Sequence, residues 1–388
     1  MTMRSSSALV EEMVVQAGPP AARGSAAAKL ELSHAALHRR FATAFKPRPA
    51  IYWTDLAVSA SIAWTAILTL LATPVLSLRA LAVYVVAVLA LYRAALFIHE
   101  VAHLKRGAVP GFETVWNLAV GIPFAVPSLM YSGSHADHHR RSLFATTEDP
   151  EYESIAEWGP LRIAASFAAM LAIPSVLLFR WAIAGPLSYL SRPLRRVVVE
   201  RFSTLVINPG YRRRQLRDHE IRPWALQEWA LALGIWSVVA AIATGVMAPD
   251  WALKWYALTA GILMLNHART LAAHRYANRD RTAVDRVGQL LDSVNLTGGS
   301  WLTILAAPVG LRYHALHHLL PTLPYHSLGP VHRALVAELP EDSPYHDTFR
   351  SGIVAGLRAL IADAHGGHRE GFVVDRRIPE PRYTSQTR

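Results

Sequence analysis

A chain of 388 residues in which 52% are hydrophobic and 17% charged is more apolar than an ordinary soluble domain, where roughly 45–50% apolar is typical. Its mean hydropathy of +0.21 agrees, and a membrane protein is the leading class. The net charge of +11 comes without any RNP, zinc-finger or recognition-helix pattern, so nucleic acid is not an expected partner. The absence of cysteine rules out disulfides and thiolate metal ligands.

Residues 1–50 are Ala/Ser-rich and polar, with no apolar segment of signal-peptide type, and are read as a disordered tail with a short amphipathic lead. The next segments are long enough to cross a bilayer core, which takes about 20 residues: Leu56 to Leu76 and Leu81 to Leu104, then Ala225 to Met247 and Trp251 to His274. Between these two pairs lies Leu161 to Leu190, apolar but interrupted by Pro174. Basic residues flank it on both sides, at His135 to Arg141 and in the arginine-rich loop from Arg192 to Arg217. Lys/Arg-rich loops stay cytoplasmic, so this segment should enter and leave by one face, as a re-entrant or interfacial element. The arginines mark topology and suit anionic headgroups. The expected fold is an all-α integral membrane protein of about four transmembrane helices in two hairpins, with re-entrant or interfacial helices. The membrane domain should cover 51–340, followed by a polar C-terminal tail, 341–388.

Eighteen histidines are present, and eight fall in three clusters beside apolar stretches: "HEVAH" (His99, His103), "HADHH" (His135, His138, His139) and "HALHH" (His314, His317, His318). Positions i, i+3 and i+4 of a helix share a face, so each cluster can aim its rings at one point. Imidazole is a common ligand of Fe, Zn and Cu. About four to six ligands saturate such an ion, so eight converging imidazoles ask for two metals. Taken alone, HExxH is also a metalloprotease pattern with Glu100 as general base, and a membrane protease is the competing class. It leaves the other six histidines of the clusters without a role.

The order HxxxH, HxxHH, HxxHH, with hairpins of spanning helices between, resembles the membrane fatty-acid desaturase and hydroxylase superfamily. "GLRYHALHHLLPTLPYHSLGPVHR", "RTLAAHRY" and "HADHHRRSLFATTEDPEY" carry the likeness, over roughly Trp53 to Leu335. It implies a cytoplasmic histidine-rich cap holding two non-haem iron ions, O₂ activation, and removal of hydrogen from a methylene of a lipid acyl chain. Desaturation is the leading expectation, with lipid or carotenoid hydroxylation or ketolation as the alternative within the superfamily. No HPGG-type haem module and no cysteine for an iron–sulfur cluster occur, so electrons should come from a separate ferredoxin- or cytochrome b5-type protein. The histidine boxes and both termini are expected in the cytoplasm, at the inner membrane if the source is bacterial.

Family members are commonly ninefold in histidine, and the end of the fourth span offers two further candidates, His267 and His274. Lys105 and Arg106 follow His103, and Arg275 follows His274; matching these interfacial cations puts His274 level with His103. His267 then lies roughly 10 Å deeper at about 1.5 Å per residue, where it would line the substrate tunnel or bond to a neighbouring helix. His274 is therefore the expected ninth ligand. Glu100, Asp137, Asp149, Asn266 and His267 are the expected supporting partners, the carboxylates fixing imidazole tautomers.

Overall fold

The computed structural model describes residues 34–365. Most of the expected N-terminal tail and the end of the C-terminal one therefore lie outside the described residues. After the short α1 (His34–Arg40), α2 (Pro49–Leu71) starts with a proline in its first turn, where a missing N–H costs nothing. The Ser77 side chain accepts a hydrogen bond from Ala80 N–H at 3.0 Å and so caps α3 (Leu78–Ala95). With one break at Leu96, α4 (Phe97–His103) continues it, giving a 26-residue apolar rod that ends on the first histidine box. Helices α2 and α3 pack side by side as a hairpin. Their outer faces leave Val58, Ile62, Leu68 and Val86 exposed, which suits hydrocarbon rather than water.

The chain then turns through α5 (Phe112–Trp116) and a π turn, Asn117–Gly121, to α6 (Leu129–His138), which carries the second box. Gly121 is required there: a Cβ would sit 2.7 Å from Trp116 Cζ3 and 3.0 Å from Val126 O. The expected re-entrant element consists of α7 (Pro160–Met170) and α8 (Ile173–Phe179), a second π turn, Arg180–Ala184, and α9 (Gly185–Ser188). It is bent by 45° between Pro160–Met170 and Ile173–Ser188. The amphipathic α10 (Arg192–Phe202) holds part of the arginine run.

Helix α11 (Asp218–Ala243) is the third element long and apolar enough to cross a membrane; counting the bent pair as one more gives up to four by length and composition. The predicted fourth span forms α12 (Asp250–Leu271), long enough but outside that apolar set. It carries ionic and polar groups that the fold satisfies internally. Lys254 Nζ donates to Leu71 O at 3.0 Å and Thr73 O at 2.9 Å and pairs with Asp250. Helices α11 and α12 pack mainly on other elements rather than on each other. Helix α12 packs on α3 and α7, whereas α11 packs on the Arg180–Ala184 turn. There Glu228 of α11 receives Arg195 Nη1 at 2.6 Å and the Tyr189 hydroxyl at 2.8 Å and lies 2.8 Å from Arg180 Nη1. Three groups around one buried carboxylate offset its desolvation, and they fasten the bent segment between the two helices.

Beyond α12 the chain folds over its end as α13 (Arg286–Asp292), a two-residue strand β1 (Asn295–Leu296), α14 (Trp301–Ala306), α15 (His314–Leu319) with the third box, and α16 (Tyr325–Glu338). A second short strand, β2 (Phe349–Arg350), lies parallel to β1 with Asn295 opposite Phe349. The final α17 (Ile353–His365) packs on α12, α14 and α7, with Leu360 buried. The first part of the segment expected as a polar C-terminal tail is thus folded onto the body. Among the described residues the regular structure is helical apart from this ribbon and isolated bridges such as His274 to Ser293.

Candidate metal centre

Each histidine box stands on a short helix or at a helix end, and the backbone is strained next to the third box and next to His274. Val309, a β-branched residue, has φ 53° and Gly310 φ 70° just before α15; Tyr276 has φ 54° two residues after His274. For Val309 and Tyr276 such conformations cost of order 1–3 kcal/mol each and persist where surrounding packing imposes them, whereas Gly310 adopts its φ freely. At Gly310 that packing is explicit, since a Cβ would meet Leu328 Cδ1 at 2.8 Å and Tyr325 O at 3.0 Å.

Nine imidazoles converge in two groups. His99, His103, His135, His139 and His317 form one, and His138, His274, His314 and His318 the other, with the potential ligand atoms of each group all within 4.8 Å of one another. The two groups adjoin: the His139 and His318 rings are 4.4 Å apart. Within the first, His139 Nε2 is 3.1 Å from His135 Nε2 and 2.9 Å from His317 Nε2. Within the second, His314 Nε2 is 2.9 Å from His274 Nε2 and 3.1 Å from His318 Nε2. Two ligand nitrogens at right angles around an ion, each at about 2.0–2.1 Å, are about 3 Å apart, so this spacing fits shared coordination.

Carboxylates on the far ring nitrogens decide which way the lone pairs point. His138 Nδ1 lies 2.9 Å from Asp149 Oδ1, His135 Nδ1 2.8 Å from Glu151 Oε1, and His274 Nδ1 3.3 Å from Asp292 Oδ2. An ionised carboxylate only accepts, so these contacts favour a proton on Nδ1 and an Nε2 lone pair turned inward; His135 Nδ1 also has the Tyr131 hydroxyl at 2.8 Å. The carboxylates are themselves held. Asp149 accepts from Ala145 N–H at 2.7 Å and Glu151 N–H at 2.8 Å. Asp292 Oδ1 accepts from the Tyr152 hydroxyl at 3.0 Å and Ala277 N–H at 3.1 Å. The Nε2 atoms of His99, His103 and His138 are buried without any hydrogen-bond partner, an arrangement that is costly without a ligand. Burial pushes His135, His139, His314, His317 and His318 well below the ordinary imidazole value. They are kept neutral, the state a metal ligand needs. For His138 burial is outweighed by Asp149, and its value is raised.

An apolar cavity of about 460 Å³ reaches this centre, within the size range of ligand pockets. His99 is the one residue of the two groups that lines it; its walls include Leu91, Phe124, Ile173 and Val176, and Tyr131 and Glu151 flank His99.

Residues 77–349 match the fatty acid desaturase family, a span that includes all nine imidazoles. The chain belongs to the fatty acid desaturase family. It is also similar to a ceramide hydroxylase of Caulobacter vibrioides (strain NA1000 / CB15N), 41% identical over 315 residues, which cover 81% of this chain and 89% of that protein. No solved structure matches. Family and relative together identify the chain as an oxidoreductase.

The desaturase-family chain brings the eight box histidines and His274 together. His267 stands apart: its Nε2 is 2.8 Å from the Ser166 hydroxyl, its ring packs on Phe167, and it lines the cavity with Asn266. Glu100 lies 3.8 Å from His99 Nδ1, beyond hydrogen-bond reach, and accepts instead from the Tyr52 hydroxyl at 2.5 Å and Tyr325 N–H at 3.2 Å. Asp137 faces away, accepting from the Tyr211 hydroxyl at 2.7 Å and pairing with Arg140. Glu151 and Asp292 were missed. Glu151 sits in the acidic "EDPEYE" run after the second box, a usable signal; Asp292 is 18 residues beyond His274 with nothing local to mark it.

Proposed function

We propose that this protein is an O₂-dependent lipid hydroxylase that binds two iron ions, one in each histidine group, and acts on a ceramide-type membrane lipid. The observation that carries the reading is the pair of imidazole groups, with nitrogens at ligand spacing, at the end of an apolar cavity. All nine members, His99, His103, His135, His139 and His317 with His138, His274, His314 and His318, are the proposed ligands. An all-nitrogen set of neutral imidazoles suits iron. When bound, the two irons supply the oxidising power that acid–base side chains lack for a strong C–H bond.

The protein's own share is positional. Asp149, Glu151 and Asp292 hold their imidazoles in one tautomer; the cavity walls exclude water and present a chain carbon beside His99. In hydroxylation one oxygen atom of O₂ enters the C–H bond and the other leaves as water, using two electrons and two protons from a donor protein of ferredoxin or cytochrome b5 type. We place four crossings in the membrane, with the bent segment re-entrant. The boxes and termini then face the cytoplasm, where the basic loops lie and the donor docks. A membrane domain over 51–340 contains this machinery.

Desaturation, the leading expectation from sequence, uses the same first hydrogen abstraction. The ceramide hydroxylase likeness favours oxygen insertion. Lipids from a host expressing the protein distinguish the two by mass spectrometry: a ceramide heavier by one oxygen atom is expected, and one lighter by two hydrogens overturns hydroxylation. One bound zinc, no iron and peptide cleavage dependent on Glu100 would overturn the oxidase altogether.

A further inference from the structure

Part of the cavity lining is polar, which a tunnel for hydrocarbon alone does not require. Beside His99 the cavity is lined by Tyr131, Glu151, Asn266 and Arg269. Arg269 is only 6% exposed, donates from Nη2 to Asn266 Oδ1 at 3.0 Å, and leaves Nε without a partner. Glu151 gives Oε1 to His135, its one ion-pair partner among the described residues. A guanidinium and a carboxylate therefore face one small space without closing on each other. A buried cation on an apolar wall is costly, and a plain hydrocarbon in the cavity would leave its N–H group unpaired.

This inference rests on the proposed lipid-oxidising role and names what the cavity recognises. We propose that Arg269, Asn266 and Glu151 bind a neutral polar group of the substrate, an amide or a hydroxyl, at this polar part of the cavity. Such a group both accepts and donates, so it can take the Arg269 N–H and give to Glu151, whereas an ionised carboxylate could only accept. The apolar chain then extends towards Ile173 and Val176. The oxidised carbon is one close to the polar group and not far along the chain, because the group is anchored next to His99.

Trp116 and Trp158 line the same cavity, so binding to the purified protein can be read by tryptophan quenching with brominated-chain probes: a ceramide, the free fatty acid and the alkane of equal chain length. The wild type should bind the ceramide at least about tenfold more tightly than the alkane, since a hydrogen bond to a charged group is worth about 1.5–3 kcal/mol. Arg269→Met and Asn266→Leu should each bring the two probes within about threefold while leaving alkane binding unchanged. If Arg269→Met binds nothing, Asn266→Leu alone decides. Equal binding of ceramide and alkane by the wild type, or a preference that survives in Asn266→Leu, overturns the proposal. Tighter binding of the fatty acid than of the ceramide makes this an anion site and overturns it too. The product assay fails separately: a ceramide preference without any O₂-dependent product sinks the hydroxylase reading and leaves this recognition site standing.

Discussion

The group formed by His99, His103, His135, His139 and His317 meets the cavity through His99, whereas His138, His274, His314 and His318 do not line it. The open group has one carboxylate on a far ring nitrogen, Glu151, which also lines the cavity. The closed group has two, Asp149 and Asp292, each fixed by two further hydrogen bonds. On the proposed function, substrate reaches the open side, and the closed side is the one whose imidazoles are the more firmly oriented. Two sites assembled from the same boxes are not equivalent, because the second box divides: His135 and His139 turn one way and His138 the other, as positions i, i+4 and i+3 of a short helix can.

The adjacent residues His317 and His318 fall in different groups, so they give the strongest test. His317→Ala and His318→Ala should each abolish turnover and take bound iron from about two towards about one per chain, read by metal analysis and O₂ consumption. A variant that keeps full iron breaks the assignment of that histidine.

The next test separates the carboxylates. Asp149→Asn and Asp292→Asn should lower iron affinity by about 10–100-fold, the usual effect of removing an orienting partner. Glu151→Gln, on the open side, should retain iron better and lose more in turnover. Equal iron loss from all three would erase the distinction between an open and a closed group.

Acidification probes both groups in metal-free protein. Burial holds His135 and His139 on one side, and His314 and His318 on the other, well below the ordinary value, and His332 at about 4. The unfolded chain binds their protons near pH 6.5, so it binds more protons than the folded one below that pH. Stability is complete above about 6.5 and falls as pH drops through the window beneath, by up to about 1.4 kcal/mol per pH unit for each such histidine. Urea unfolding of the metal-free protein between pH 7 and pH 5 measures this, and a pH-independent midpoint would contradict neutral buried imidazoles. His138, raised by Asp149 despite burial, works in the opposite sense, so the closed group should contribute the shallower slope.

Periodicity and residue type made the boxes legible, because a helix brings i and i+4 together; the expectation that the whole of each cluster aims at one point does not hold, since His138 and His317, at i+3, turn to the other group. Depth separated His274 from His267; His274 Nε2 lies 2.9 Å from His314 Nε2, His267 Nε2 lies 2.8 Å from the Ser166 hydroxyl, and the ligand role of His274 is part of the proposal. The same reasoning misjudged partners that come from far away. Asp137 is adjacent to His138 yet points to Tyr211, whereas Asp292 reaches His274 only because α13 folds back over the end of α12. Hydropathy marked α12 as a span along with α2, α3 and α11, yet α12 falls outside the set long and apolar enough to cross and hides Lys254 and Arg269 inside the protein; composition alone cannot say which face a charge occupies. The 45° bend was signalled by its proline and by the basic residues flanking it.

Glu100 gives the smallest expected effect. It follows His99 in the chain and occupies the position that a metalloprotease reserves for its base, yet its carboxylate accepts from Tyr52 and Tyr325 and lies 3.8 Å from His99 Nδ1. Its contacts tie α4 to α2 and to the start of α16, so it supports the open group through packing. Glu100→Gln keeps an acceptor for both donors and should leave iron content intact, with turnover lowered by less than the roughly 10–100-fold expected when an orienting carboxylate is removed. Glu100→Ala strands the Tyr52 hydroxyl and should lower stability by about 1–3 kcal/mol. Iron loss in Glu100→Gln as large as in Asp292→Asn would mean that the open group depends on carboxylate orientation as heavily as the closed one.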